Sequence, residues 1–188
     1  MIASRADLDR YRDADAGAHN LVWTWRLRFS AQSSPRVLRF QRRLRLIEYL
    51  TNAQPGHPMV RRALLALLWR VHARHAERLG FTIPPNTFGP GLCLVHYGTV
   101  VVSASARIGA DARVHPSSSI GATEHGAPVV GDGCYIAPGA RLLGPITLGD
   151  HVIVGANAVV RDSFPAHSVL AGVPAEVVGR RESRANVH

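Results

Sequence analysis

The sequence predicts a mainly β solenoid of stacked triangular coils, preceded by a small α-helical region. Three observations carry this. The chain changes character near residue 80, from arginine-rich segments with helical spacing to short aliphatic runs broken by glycine. Beyond that point Val, Ile or Leu recurs every sixth residue, at Val102, Ile108, Val114 and Ile120 and again at Val130, Ile136, Leu142, Leu148, Val154 and Val160. Four extra residues separate the two series. A six-residue period fits neither an α-helix nor a simple hairpin. It suits short strands turned at three corners per coil, each face sending one aliphatic side chain inward to a stacked column.

Each element follows in order. Residues 1–80 read as helical. Ser4 is placed to cap a first helix that ends at Gly17. A second, over 35–50, sets Val37, Leu38, Phe40, Leu44, Ile47 and Leu50 at three- and four-residue steps. A third, over 57–80, closes at Gly80. The turn signals "SSP" and "QPGHP" separate them. Residues 81–179 form the solenoid. Its hexads over 102–165 supply a little over three coils, and residues 180–188 are a tail.

Composition bounds the function. At 188 residues with 46% hydrophobic content, the chain can bury a core without disulfide staples. Aromatics are only 6%, so aliphatic residues carry the packing. The net charge is +9 and all 22 basic residues are arginine, which excludes a catalytic lysine. The guanidinium fork suits phosphate, so two readings stand: a polyanionic ligand, or a solvated helical face. Neither zinc-finger spacing nor an RNP-type aromatic motif is present, and nucleic acid is not the expected partner. Cys93 and Cys134 form no CxxC pair and read as packing residues in a reducing compartment. The first 17 residues lack the apolar centre of a signal peptide. "ALLALLW" (63–69) is too short to span a bilayer. The expected location is cytoplasmic.

The hexads and the closing segment "AGVPAEVVG" (171–179) resemble the hexapeptide-repeat acyltransferases, whose fold is a left-handed parallel β-helix. "GLCLVHYGTVVVSASARIG" (91–109) and the helical segment before it narrow the resemblance to serine-acetyltransferase-like members. The likeness is strong over about 80–179 and loose before that. It implies acetyl-CoA as co-substrate, no metal, a small hydroxyl-bearing acceptor and a homotrimer, with a pairing of trimers as the larger assembly.

Counting back six from Val102 lands on His96, which the phase alone would make a core histidine. The resemblance puts the general base there, with Tyr97 beside it. A histidine base takes the proton of an acceptor hydroxyl as it attacks a thioester carbonyl; no covalent enzyme intermediate is needed, and no GxSxG motif suggests one. His125, in the four-residue insertion, aligns with a second active-site histidine and would bind acceptor together with Glu124. His115 reads as a turn residue. The positions matching coenzyme A contacts are Ala122, Pro138, Ala156, Gly172 and Pro174, with Arg180 near the phosphates.

The departures bear on the acceptor. Serine acetyltransferases typically carry an aspartate where Val95 stands and an arginine where Glu124 stands; "GFTIPPNTFGPG" (80–91) also lacks the upstream carboxylate. Gaining a glutamate in place of an arginine disfavours an anionic acceptor. The sequence therefore points first to a sugar or polysaccharide-precursor hydroxyl, with serine as the alternative. Two other classes share such a solenoid. Zinc-dependent carbonic anhydrases of the γ type need an H-x4-H pair, which His96, His115 and His125 do not supply. A non-catalytic assembly or binding module would not bind coenzyme A.

Overall fold

The structure is a computed structural model and describes residues 1–21 and 33–181. Three helices lead the chain: α1 (Arg5–Ala18), α2 (Ser33–Asn52) and α3 (Pro58–Leu79). Ser4 caps α1 as expected. Its hydroxyl accepts from Asp7 N at 3.1 Å, while the Asp7 carboxylate accepts from Ser4 N at 3.1 Å. Gly17 does not end this helix, which continues to Ala18 with His19 as its C-cap. "SSP" is not a turn either. α2 already starts at Ser33, because Pro35 falls in the first turn, where a missing N–H removes no helical bond. α3 starts with Pro58 and stops at Gly80, whose φ of +78° gives the left-handed C-cap.

The inward stripe of α2 is the one its spacing predicts. Val37, Leu38, Phe40, Leu44, Ile47 and Leu50 are all buried. Val37, Phe40 and Leu44 join the same core cluster as the solenoid residues, so the helices cap the β structure rather than forming a separate body. Arg45 locks this junction from a fully buried position. It pairs with Asp15 of α1 at 2.9 Å and Glu48 of α2 at 3.1 Å, and donates to the carbonyls of Phe88 and Gly89 at 3.0 and 2.7 Å.

The strands are β1 (Phe81–Thr82), β2 (Cys93–Leu94), β3 (Val100–Val102), β4 (Arg107–Ile108), β5 (Arg113–Val114), β6 (Ser118–Gly121) and β7 (Val129–Val130). Then follow β8 (Tyr135–Ile136), β9 (Arg141–Leu143), β10 (Thr147–Leu148), β11 (Ile153–Val154), β12 (Val159–Val160), β13 (Ser168–Gly172) and β14 (Ala175–Arg180). They form three parallel faces, visited in rotation. The first holds β1-β3-β6-β9-β12, the second β4-β7-β10, and the third β2-β5-β8-β11-β13, with β14 added antiparallel to β13. This is the parallel β-helix of the hexapeptide-repeat fold.

All ten hexad positions are buried. Their registers make columns: Val102, Ile120, Leu142 and Val160 on the first face, and Ile108, Val130 and Leu148 on the second. The third face stacks Leu94, Val114, Ile136, Val154 and Leu170. That makes five layers, not the three and a fraction counted from the hexads. The outer layers were missed because their coils are longer or shorter than eighteen residues. Leu94 to Val114 is twenty residues, and Val154 to Leu170 is sixteen. At the far end β14 runs through Arg180, so a tail beginning at residue 180 is corrected by one residue; residues 182–188 lie outside the described residues.

Corner turns are fixed by side chains from the neighbouring coil. The Asp132 carboxylate accepts from Ala110 N at 2.7 Å, and the Asp150 carboxylate from Asp132 N at 2.8 Å. Asp132 and Asp150 are the aspartates of "GDG" and "LGD", which stand at successive corners of the same kind.

Candidate active site

The long first coil creates the site. Because Leu94 takes the column position opposite Val114, the two surplus residues bulge out between β2 and β3. His96 is therefore exposed, not an inward member of the aliphatic column as the six-residue phase implies. Tyr97 beside it is 56% exposed. Two glycines hold the bulge down. Gly98 N donates to Leu79 O at 2.8 Å, tying the loop to the last turn of α3. Gly98 has φ +138°, and a Cβ there would lie 3.0 Å from Pro116 Cβ. A Cβ on Gly80 (φ +78°) would meet the Gly98 carbonyl carbon at 3.0 Å, so both positions exclude larger residues.

Two residues past each member of the third-face column come His96, Pro116, Pro138, Ala156 and Gly172 in successive coils. The corner is kept in register by Gly139 N donating to Pro116 O at 3.1 Å and Asn157 N to Pro138 O at 2.9 Å. His96 thus stands at one end of a row of corner positions whose other members are small or carry no backbone N–H. Pro138, Ala156 and Gly172, expected to contact coenzyme A, all lie here, with Pro174 in the turn after Gly172. Arg180 is exposed at the end of β14.

The remaining expected residues lie elsewhere. Ala122, Glu124 and His125 sit at the next corner, between β6 and β7. There the insertion folds into a tight hairpin closed by Thr123 N to Gly126 O at 2.8 Å and Gly126 N to Thr123 O at 3.2 Å. His125 Nε2 is 3.4 Å from the Glu124 carboxylate, and both side chains project into solvent. The first face separates this corner from that of His96, so one chain does not bring the two histidines together.

His115 is the residue that sequence reasoning undervalued. Its ring lies 4.9 Å from the Tyr135 ring, and its Nε2 is buried with no hydrogen-bond partner. Burial lowers its pKa, with further contributions from Arg113 and His96. Its protonated form is thus disfavoured, in part by the nearby His96. Its partners come from other coils, and only coil-to-coil register could have revealed them.

The parallel solenoid is similar in fold to hexapeptide-repeat transferases. Residues 127–162 match the family model described as bacterial transferase hexapeptide (six repeats). The chain is 37% identical over 110 residues to a serine acetyltransferase of Staphylococcus xylosus, covering 54% of this chain and 51% of that one. Among solved structures, a serine acetyltransferase in complex with cysteine superposes with TM-score 0.73 at 23% identity, covering 96% of this chain and 69% of the other. A serine acetyltransferase in complex with CoA gives TM-score 0.67 at 24% identity, covering 92% and 68%. The serine-acetyltransferase-like resemblance read from residues 91–109 and the helical segment before them thus stands. The chain spans about half the length of the curated relatives it matches.

Proposed function

We propose that this chain is an acetyl-CoA-dependent O-acetyltransferase that works by direct transfer. The observation that carries the reading is the exposed His96 imidazole at the end of a corner row of proline and small residues on a solenoid similar to serine acetyltransferases. The pantetheine arm of acetyl-CoA lies along Pro138, Ala156 and Gly172, with Pro174 closing the row and Arg180 toward the phosphates. His96 accepts the proton of the acceptor hydroxyl as that oxygen attacks the thioester carbonyl. The C–O bond forms, the C–S bond breaks, and the proton passes from His96 to the departing thiolate. Tyr97 borders the acceptor.

His125, Glu124 and Ala122 complete the site from a neighbouring subunit of a homotrimer. This arrangement accounts for their standing at a different corner from His96. Ring closure by a threefold axis places two unlike corners together at each interface.

Serine is the acceptor that the relatives support, since each of those described is a serine acetyltransferase. A neutral polyol, such as a sugar hydroxyl, is the second reading. It is favoured by Glu124, which sits against His125 and would repel a carboxylate. The test begins with calorimetric titration of acetyl-CoA; an absence of binding would reduce the chain to a non-catalytic solenoid. Initial rates with L-serine and with a panel of sugars then decide the acceptor. Serine turnover well above every sugar supports the first reading, and the reverse order supports the second.

A further inference from the structure

We propose that the groove between α2 and α3, lined by Arg43, Val71, Arg74, His75 and Arg78, is a binding site for a phosphate-type anion. The groove is open and encloses about 370 Å³. Among the described residues that line it, Arg43, Arg74, His75 and Arg78 are basic and none is acidic. Arg74 and Arg78 are exposed, and with Val71 they lie along one face of α3 at three- and four-residue steps. Arg43 and His75 are half-buried beneath them.

Among the described residues, no carboxylate is ion-paired with the guanidinium groups of this groove. The ion pairs of Arg5, Arg10 and Arg45 all lie elsewhere in the chain. Arg43 Nη1 instead donates to His75 Nδ1 at 3.0 Å. A guanidinium can only donate, so this contact needs an unprotonated Nδ1. His75 is correspondingly pushed down to about 4, by burial first and then by Arg43, Arg39, Arg78 and Arg36. Arg43 is itself lowered by burial and by Arg39. A bound dianion would turn this mutual repulsion into charge-assisted hydrogen bonds from planar donors, the geometry in which arginine binds phosphate best.

The site is distinct from the acetyl-transfer corner. The two are joined through the C-terminal end of α3, where the carbonyl of Leu79, next to Arg78, accepts from Gly98 N. The proposal therefore does not depend on the reading of His96. The shared chemistry is a phosphate group, and two sources can present it: a free phosphorylated molecule or a lipid headgroup.

The experiment follows the His75 ring by NMR while inorganic phosphate, pyrophosphate, or vesicles of phosphatidylglycerol or phosphatidylcholine are added to the intact chain. A saturable shift with phosphate or pyrophosphate, with the His75 titration midpoint raised by about one unit or more, supports a free phosphorylated ligand. A response to phosphatidylglycerol vesicles but not to the free anions or phosphatidylcholine supports the headgroup. Arg74→Gln with Arg78→Gln should weaken either response at least about tenfold, while Arg62→Gln, exposed on the same helix, should not. Both variants change exposed side chains, so the fold is not at stake. No His75 response to any probe overturns the proposal, and so does an affinity unchanged in the Arg74/Arg78 double variant.

Discussion

Replacing His96 tests the chemistry with little risk to the fold, because the side chain is exposed and contributes nothing to the aliphatic column. His96→Ala should leave the thermal midpoint close to that of the parent and lower kcat by roughly 10²–10⁴-fold, the usual worth of a general base. A rate within a few-fold of the parent would remove His96 from that role. Glu124→Arg probes the acceptor. If Glu124 disfavours an anionic ligand, this change should raise kcat/KM for serine by roughly three- to tenfold, the effect being modest at so exposed a site. The motif "LVHYGTV" is what lets the sequence single out His96 as a candidate. His115 is not singled out in this way, since its neighbours Tyr135 and His96 lie about twenty residues away in either direction. The exposure of His96 was also hidden. The phase count landed on it, but the surplus of two residues in the first coil hands the column position to Leu94.

Elements are held by interactions that the helical pattern does not announce. On α3, His72 is buried, stacked on Phe40 at 4.5 Å and edge-on to Trp69, with Nδ1 unpartnered. Its pKa is pushed down to about 4, by burial first and then by Arg43 and His75. His75 lies at about 4 as well. Between their ordinary values near 6.5 and about 4, the unfolded chain therefore binds more protons than the folded one. Stability must rise with pH across that window and level off above it. Calorimetric scans should accordingly show a midpoint that falls as pH drops from 6.5 toward 4, and His72→Phe should flatten the part of the slope due to that ring. Between elements, Arg45 is the main polar link. Arg45→Ala leaves Asp15 and Glu48 buried without their cation and should cost about 3–5 kcal/mol in denaturant unfolding. The helices themselves were legible from spacing and from the caps at Ser4 and Gly80, while Gly17 and "SSP" misplaced two ends. The buried Arg45 network was not, because an arginine among many on α2 reads as one more solvated charge.

At the scale of the whole molecule, the triangular section explains why the two candidate corners cannot meet within one chain. His96 lies where the third face turns into the first, and His125 where the first turns into the second. A threefold ring would place the His96 corner of each subunit against the His125 corner of the next, giving three sites that each draw on two chains. Such sharing has a signature that a site confined to one chain lacks. His96→Ala and His125→Ala chains should each be inactive as pure trimers. When they are unfolded together in equal amounts and refolded, random assembly pairs an intact His96 with an intact His125 at about one interface in four. Activity should therefore return to about a quarter of the parent level, and sedimentation should report a species of three chains. A mixture as inactive as its components would show that each chain's own residues make the site, and the two-corner arrangement would then be wrong.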